Sequence, residues 1–519
     1  MEQKKNCAAG RPEEGTAPAA GEPLRETAQE AGAPARETAQ EAGAPARETS
    51  QKAGARPGGL PGRLGARFYN SSEIDWEHLL YTKRDLRALL IPLILEQILT
   101  AFMGMSDSVM VTRVGSSAIS AVSLADSINV LIIQVFAALA AGGTIVCSQY
   151  IGKREPDRAN AAAEQITGCV TVISVLAALF CFFLRGPLLR LVFGTVEQEV
   201  MEDAMVYFAF TSLSFPFIAL YEAGAAFYRA GGNSRFPMIV STISNVMNIS
   251  GNALFIFCFH WGVAGAALST LLSRIFCAAV VLFFLRFPRQ VIVLRRYLVR
   301  PDWTMIFRVL SIGIPAGIEN GMFQFGKLAV QSSVSTLTTQ EMAAQAMTAI
   351  LENLNGIAGI GIGIGLMTVV GSSIGAGRKE EAKYYIVQHA AISEVCVLAS
   401  CLLVMLLTRP ILLLSGMETE SAALCMRLME IITVVKPLIW VPAFTVAYGL
   451  RAAGDVAYCM ASSTASMWFC RVLLTTILIR RFHFGPIAVW IGMFTDWLVR
   501  GILFTRRFLS GKWLRHRVI

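Results

Sequence analysis

The sequence predicts an all-α polytopic membrane protein with twelve transmembrane helices in two parallel-repeat six-helix bundles. Apolar residues make up 54% of the 519 residues and charged residues only 16%, whereas a soluble domain has about 25% charged residues. From roughly residue 85 onward, continuous apolar runs recur, each long enough to cross a ~30 Å hydrocarbon layer as a helix. The two halves of the chain also match each other at a constant offset.

The chain begins with a polar tail that contains an eleven-residue repeat. Residues 24–34, 35–45 and 46–56 read LRETAQEAGAP, ARETAQEAGAP and ARETSQKAGAR. Each copy ends in Gly-Ala-Pro or Gly-Ala-Arg, which interrupts a helix, and none carries a large apolar stripe. We therefore expect a disordered tail over residues 1–70 without catalytic content. The segment Ser72–Arg87 is expected to form an amphipathic helix on the membrane surface.

Twelve apolar runs follow the tail. Their approximate spans are 87–112, 122–148, 160–184, 203–227, 236–258, 262–285, 305–330, 343–374, 385–408, 423–448, 456–479 and 485–508. Alternate loops differ in basic residues, since one set contains only Arg113, Arg185, Arg190, Arg409, Arg480 and Arg481, and the other set is much richer in Lys and Arg. Basic loops stay in the cytoplasm, so both termini are expected there, in a multi-pass protein of the plasma membrane.

Composition argues against several other classes of protein. The net charge of +9 does not predict nucleic-acid binding, because the basic residues lie in the short loops between apolar runs. The eleven cysteines include no CxxC pair, so packing is favoured over a metal site or disulfides. The glycines from Gly356 to Gly365 lack the strand and GK[ST] of a phosphate loop, which favours close helix packing or a bend. We predict no enzymatic activity and no cofactor.

The chain contains an internal repeat. Four pairs of residues lie 223 positions apart and a fifth pair 222 apart: Pro92 and Pro315, Glu96 and Glu319, Gly152 and Gly375, Gly262 and Gly485, and Arg229 and Arg451. A shift of six helices preserves orientation, so the halves repeat in parallel, and such repeats in transporters place the substrate site between two lobes. We predict an N-lobe over residues 71–290 and a C-lobe over residues 291–519.

Several motifs occur in a specific order along the chain. They are IPLILEQILTAFMGMSDSVMV, SQYIGKREPDRA and YRAGGNSRFPM in the first half, and GIPAGIENGMFQFGKLAVQ, GSSIGAGRKEEA and YGLRAAGD in the second. In these motifs and their spacing, over roughly residues 84–510, the chain resembles the multidrug and toxin extrusion (MATE) family of the bacterial type. The resemblance implies a V-shaped pair of bundles that exports amphipathic organic cations in exchange for H⁺ or Na⁺.

Two alternatives to this function remain open. One is a flippase for lipid-linked precursors, which would need a lipid-facing portal and a strongly basic central cavity. The other is a receptor or scaffold that does not transport and whose tail recruits partners. For the transporter we expect a monomer that contacts the lipid bilayer and small organic cations, drugs or metabolites, but no nucleic acid.

Asp107 is the first candidate for ion coupling. An ionisable group inside a membrane helix is costly, roughly 3 kcal/mol or more, and usually has a functional role. Burial favours the neutral form of a carboxylate, so its loading with a proton or Na⁺ depends on the compartment that it faces. Asp107 also matches the aspartate of the family's first-helix motif. The alternative is a structural carboxylate that neighbouring serines or an arginine satisfy.

Asn248 and Asn252 are the second candidate, because they are one helical turn apart and share a face. Their amide oxygens could bind Na⁺ or bond to a protonated aspartate, so a transient Na⁺ at Asp107, Asn248 and Asn252 is possible. They match the family's Asn-x₃-Asn/Asp pattern. Polar packing between helices is the alternative.

Four further charged residues are candidates for a second site or for structural pairing. Glu96 and Glu319 each lie four residues after a helix proline and could cap the kinked backbone or bind a cation. The acid that many family members have in the seventh helix is replaced by Phe323, and the tenth helix has no acid between Lys436 and Arg451. Glu319 and Glu352 could form a different site, and Lys327 is expected to pair with one of them.

Overall fold

A computed structural model describes residues 68–194, 197–297, 299–516 and 518–519. Within these ranges the regular structure is helical throughout. The predicted disorder and repeats of the tail therefore fall outside the described residues, apart from its last three positions. The described residues all belong to one compact unit of the chain, Ser50–Ile519.

Fifteen α-helices, two π-helices and a 3-10 turn make up the described ranges. The first half contains α1 (Lys83–Thr112), α2 (Ser116–Gly152), α3 (Pro156–Phe183), α4 (Arg185–Phe193), α5 (Gln198–Leu213), α6 (Phe215–Ala230), α7 (Arg235–Asn252), a π-helix (Ala253–Cys258) and α8 (Gly262–Phe284). The second half contains α9 (Trp303–Val334), α10 (Thr339–Gly375), α11 (Lys379–Leu414), α12 (Thr419–Ala452), α13 (Val456–Ser466), a π-helix (Met467–Leu473), α14 (Leu474–Arg480), α15 (Ile487–Leu509) and the turn Lys512–Arg515.

Each of the twelve predicted spans coincides with a helix or a broken helix. Ten spans in the described ranges are long and apolar enough to cross a membrane by themselves, and the pair α5 and α6, bent by 42°, makes an eleventh. Helix α9 has the length, at 32 residues, but the polar residues Glu319, Asn320 and Gln324 interrupt its apolar sequence. The predicted all-α polytopic fold is confirmed.

The two halves pack in the same way. In the first half α1 packs on α7 and α2 on α6, and in the second half the equivalent helices α9 and α13, and α10 and α12, are in contact. Between the halves, α2 packs against α9 and α10, and α1 packs against α10. The helices that begin each half therefore form the contact between the two bundles.

The closest approach between the halves is symmetric and depends on two glycines. A Cβ atom on Gly152 would lie 2.0 Å from the carbonyl oxygen of Ser372, and a Cβ on Gly375 would lie 2.0 Å from that of Gln149. Gln149 and Ser372 are themselves related by the 223-residue repeat. The ends of α2 and α10 thus meet backbone to backbone, and Gln149 Nε2 also donates to the Ala452 carbonyl across the halves at 2.9 Å.

The predicted surface helix Ser72–Arg87 is wrong over its first eleven residues, which form bends and turns. Helix α1 begins only at Lys83, where Thr82 and Asp85 form a capping box. The N–H groups of the preceding segment bond to side chains of α11, with Leu80 N at 2.5 Å from Glu381 Oε1 and Tyr81 N at 2.9 Å from the Tyr385 hydroxyl. These side chains satisfy backbone donors that a helix would otherwise pair internally.

The segment before α9 is held in an equivalent way. Val293 N donates to Asn160 Oδ1 at 2.9 Å, and Arg295 N and Arg296 N both donate to Glu164 Oε1, at 3.1 and 3.0 Å. Asn160 and Glu164 lie on α3 of the first half. Each half is therefore preceded by a non-helical segment whose backbone is bonded to the other half.

Candidate functional site

Asp107 lies in a polar cluster between α1, α7 and α8. The Nδ2 atom of Asn252 donates to Asp107 Oδ1 at 2.8 Å and lies 3.3 Å from Asn248 Oδ1. Asn248 Nδ2 donates in turn to the Thr270 hydroxyl at 3.2 Å. Asn248 and Asn252 are buried and Asp107 is half-buried. The structure therefore brings together the three residues that the sequence indicated.

Helix α2 adds a second acid that the sequence analysis missed. Asp126 is half-buried and accepts a hydrogen bond from Asn129 Nδ2 at 3.1 Å, and it lies within electrostatic range of Asp107. The predicted second span began at residue 122, which left Asp126 near its end. Because α2 begins at Ser116, Asp126 is in fact ten residues inside an apolar helix, and the cost of burying an ionisable group could have identified it.

Arg274 of α8 is the cation that faces both acids. It lies within electrostatic range of Asp107 and Asp126, but its Nη1 atom donates to the Ser214 hydroxyl at 2.7 Å. Neither acid is in an ion pair with a described residue. The cluster thus combines two carboxyl groups with one guanidinium, and Asp107 is not locked to a positive partner.

An acceptor atom in this cluster also lacks a partner. Asn252 Oδ1 is buried and has no hydrogen-bond partner among the described residues. Directly after Asn252 the α-helix changes to the π-helix Ala253–Cys258, an irregularity that is frequent at functional sites. A carboxylate, amide oxygens and a hydroxyl are ligands suited to a proton or a hard monovalent cation.

Glu96 and Glu319 occupy equivalent positions but have different partners. Glu319 Oε1 accepts a hydrogen bond from Arg451 Nη2 at 2.6 Å, in an ion pair whose side chains are 9% and 20% exposed. Glu96 accepts a hydrogen bond from the Tyr221 hydroxyl at 3.1 Å, and its Oε2 has no partner among the described residues. Within the described residues, neither carboxylate is hydrogen-bonded to the backbone at a proline kink.

Glu352 and Lys327 do not form the pair that the sequence suggested. Glu352 instead pairs with the buried Lys436 of α12, whose Nζ lies 2.5 Å from Glu352 Oε1. Lys327 forms no ion pair with a described residue, since Glu352 is engaged with Lys436 and Glu319 with Arg451. Asp496 and Arg500, one helical turn apart on α15, also form an ion pair, at 2.7 Å. All three of these second-half acids are thus neutralised by basic side chains.

The family model MatE matches residues 92–254 and, a second time, residues 315–477. The two matches cover more than half of the chain and begin 223 residues apart, as the internal repeat does. The chain belongs to the MATE family. It is accordingly a multi-pass membrane transporter, and the internal repeat reflects the two halves of a MATE protein.

Two bacterial relatives support the MATE assignment along most of the chain. The probable multidrug resistance protein NorM of Thermotoga maritima is 26% identical over 450 residues, which cover 84% of this chain and 94% of that protein. The uncharacterised transporter YisQ of Bacillus subtilis is 26% identical over 431 residues, 82% of this chain and 93% of YisQ.

Two solved structures share the fold. A multidrug resistance MATE family transporter in an outward-facing conformation has a TM-score of 0.77 at 19% identity, and the match covers 83% of this chain and 96% of that one. MATE in complex with MaL6 has a TM-score of 0.77 at 18% identity, with the same coverage of both chains.

The glycine run of this MATE protein provides space for large side chains and for a neighbouring helix. A Cβ atom on Gly359 would lie 2.4 Å from the Trp440 ring, and one on Gly363 would lie 2.2 Å from the Tyr448 ring. On the other face of α10, a Cβ on Gly361 would lie 3.0 Å from the backbone of Ile94 in α1. The predicted close helix packing is confirmed.

We predict that Glu319→Gln destabilises this MATE protein. The substitution leaves the Arg451 guanidinium without its carboxylate in a largely buried position, and breaking such a pair costs about 3 kcal/mol. Thermal unfolding of the purified protein in detergent measures the effect. Glu155→Gln is the matched control, because the Glu155 pairs with Lys153 and Arg158 lie at the surface and such pairs contribute about 1 kcal/mol or less. Equal losses in the two variants would contradict a structural role for Glu319.

Proposed function

We propose that this protein is a secondary active multidrug efflux antiporter that exports amphipathic organic cations in exchange for H⁺ or Na⁺. The observation that carries the proposal is the half-buried Asp107 carboxylate, which accepts a hydrogen bond from Asn252 at 2.8 Å and has no basic ion-pair partner in the described ranges. Such a group can bind and release a small cation. The names of the multidrug relatives support the direction and breadth of transport.

The proposed mechanism is alternating access between the two halves. The excess of basic residues in one set of loops supports a cytoplasmic location for both termini, and with them for the contact between α2 and α10. With this contact closed, the polar cluster is reached from outside. Binding of H⁺ or Na⁺ at Asp107 then displaces the drug cation, and release of the ion to the cytoplasm after the halves rock resets the cycle. Competition at one carboxylate requires only a coupling of ~1–3 kcal/mol.

The cluster is compatible with either coupling ion. For H⁺, the acceptor Asp107 and the nearby acid Asp126 provide protonation sites. For Na⁺, the unpartnered Asn252 Oδ1 and the Asn248 amide oxygen add neutral oxygen ligands to the Asp107 carboxylate. Asn252 stands where some members of the family carry an acid, so one titratable group fewer is present here.

Export from proteoliposomes under one imposed gradient at a time tests the proposal and identifies the ion. We expect vesicles that contain the purified protein to move ethidium against its gradient under one of the two imposed gradients, ΔpH or ΔNa⁺. Protein-free vesicles should show no movement. If correctly inserted protein exports no ethidium under ΔpH or under ΔNa⁺, the antiport mechanism is refuted.

A flippase for lipid-linked precursors is the second candidate function. The observation in its favour is a group of basic side chains inside the second half, including Lys327 and Arg471, since a lipid-linked pyrophosphate would need such a region. The same vesicles with a fluorescent lipid-linked pyrophosphate distinguish the two functions. Accelerated movement of the lipid without ethidium export would favour the flippase, and movement of neither would favour a receptor or scaffold.

A further inference from the structure

Helices α9, α10, α12 and α15 and the second π-helix enclose a group of charged and aromatic side chains. We define the basic cluster by its four cations, which are Lys327, Lys436, Arg471 and Arg500. Two acids, Glu352 and Asp496, lie among them, so the cations outnumber the acids by two. The aromatic rings of Phe323, Trp440, Phe444 and Trp497 separate the cations.

Ion pairing accounts for only half of these positive charges. Lys436 pairs with Glu352 and Arg500 with Asp496, whereas Lys327 and Arg471 have no ion-pair partner among the described residues. Arg471 is only 9% exposed, and its Nε has no hydrogen-bond partner in the described ranges, as is also true of Arg500 Nη2. Buried donors of this kind are normally satisfied, so these two point to a missing acceptor.

Three of the four cations surround one ring. Lys327 Nζ lies 5.1 Å from the centre of the Phe323 ring, and the guanidinium carbons of Arg471 and Arg500 lie 5.3 and 5.8 Å from it. Like charges around one ring repel each other, and the paired acids Glu352 and Asp496 do not neutralise all three. An anion beside this ring would reduce this excess of positive charge.

The orientation of Lys327 argues against a lysine that only reaches for the membrane surface. A lysine that extends its amine to the interface points toward the nearer end of its helix. Lys327 lies seven residues before the end of α9 at Val334, and its amine lies 5.1 Å from the centre of the ring of Phe323, one turn nearer the middle of the helix. Lys327 is also exposed at the surface of the helix bundle, so the basic cluster is not closed off on that side.

The two halves have clusters of opposite charge at equivalent places. Arg471 lies 223 residues after Asn248, so the internal repeat relates the two positions. Each lies on a helix that contains a π-helix, Ala253–Cys258 in the first half and Met467–Leu473 in the second. The first-half cluster has two acids and one arginine, whereas the basic cluster has an excess of two cations.

We propose that the basic cluster binds the carboxylate of aromatic, amphipathic substrates, with Arg471 and Lys327 as its anchors and Phe323 stacking against the substrate's rings. Arginine and lysine form charge-assisted hydrogen bonds with carboxylates, and an aromatic ligand packs favourably on a phenylalanine ring. Together with the acidic cluster of the first half, this site makes zwitterionic molecules the favoured substrate class. The inference rests on the proposed function only in taking the bound molecule to be a transported substrate.

Rhodamine 110 and rhodamine 123 provide a matched pair of probes. They share one aromatic chromophore, but rhodamine 110 has a free carboxylate and rhodamine 123 has its methyl ester. Fluorescence polarisation measures the Kd of each dye for the full chain in phosphatidylcholine nanodiscs, with no gradient present. We expect Lys327→Gln and Arg471→Gln to weaken rhodamine 110 by about tenfold, as loss of a charged hydrogen bond predicts, and to change rhodamine 123 by less than about twofold.

The controls separate this site from general effects of charge and lipid. Arg480→Gln removes the exposed arginine at the end of α14 and is expected to leave both dyes unchanged. Since Lys327 is exposed, Lys327→Gln remains informative if Arg471→Gln does not fold. Equal effects on both dyes, or no effect on rhodamine 110, would overturn the proposal. Weaker rhodamine 110 binding in phosphatidylglycerol nanodiscs would also overturn it, by assigning the cluster to a lipid headgroup.

The outcome is independent of the antiport mechanism. Gradient-driven export of rhodamine 123 with no binding of rhodamine 110 would refute the anion site alone. Selective loss of rhodamine 110 binding in the variants, with no export under any gradient, would refute antiport and leave the anion site in place.

Discussion

Asp107→Asn is expected to abolish gradient-driven drug export while the protein inserts and folds normally. Asparagine preserves the size of the side chain and can still bond to Asn252, but it can neither take up a proton nor contribute a negative charge to a bound Na⁺. The initial rate of ethidium export from proteoliposomes should fall to the rate of protein-free vesicles. The melting temperature in detergent should stay close to that of the wild type, because Asp107 is in no ion pair in the described part of the chain.

The matched control for this substitution is Asp157→Asn. Asp157 is an exposed acid in the first turn of α3, so its replacement removes the same charge away from the polar cluster. We expect wild-type export from this variant. Full export by Asp107→Asn under either gradient would show that the coupling ion binds elsewhere, with Asp126 as the next carboxylate to replace.

Gly375→Ala is expected to have the second largest effect, because it prevents the two halves from closing. The new methyl group would lie 2.0 Å from the carbonyl oxygen of Gln149 and 2.7 Å from its carbonyl carbon. These are backbone atoms of α2 and cannot rotate away, so α2 and α10 must separate. We expect export to fall by at least about tenfold, since a rate that depends on this closed state decreases with its population.

Hydrogen exchange locates the effect of Gly375→Ala in the structure. Separation of the helix ends should speed exchange in residues 145–152 and 368–375, where the halves now meet. Gly168→Ala is the control, because a Cβ at Gly168 in α3 would have no atom within 4 Å. Wild-type export together with unchanged exchange in Gly375→Ala would show that this contact is not part of the transport cycle.

The sequence predicted the helices well because hydrophobic length alone defines a membrane span. It also singled out Asp107, as an acid in an apolar span that matches the family's first-helix motif, and Asn248 and Asn252, which share a helical face and match the family's Asn-x₃-Asn/Asp pattern. Residues close in sequence, such as Asp496 and Arg500, could be paired from their spacing. The contacts between distant helices could not be derived in this way.

The incorrect pairing predicted for Lys327 shows why the remaining contacts were missed. Glu352 lies 25 residues after Lys327 but 84 residues before Lys436, and only the packing of α10 against α12 decides which amine it meets. The non-helical conformation of the segment before α1 was missed for a similar reason. Its residues have an amphipathic pattern, but Glu381 and Tyr385 of α11 compete for the backbone donors that a helix would use.

The segments before α1 and α9 each connect the two bundles, because their backbone N–H groups donate hydrogen bonds to side chains of the other bundle. If the bundles separate at this end, as the proposed alternating access requires, Leu80 and Tyr81 cannot follow both α1, to which they are joined covalently, and α11, to which they are hydrogen-bonded. Either the backbone must then change conformation between Tyr81 and Thr82, or the hydrogen bonds from Leu80 to Glu381 and from Tyr81 to Tyr385 must break. A fluorophore attached at an exposed position such as Glu77 would therefore report the separation of the two bundles directly.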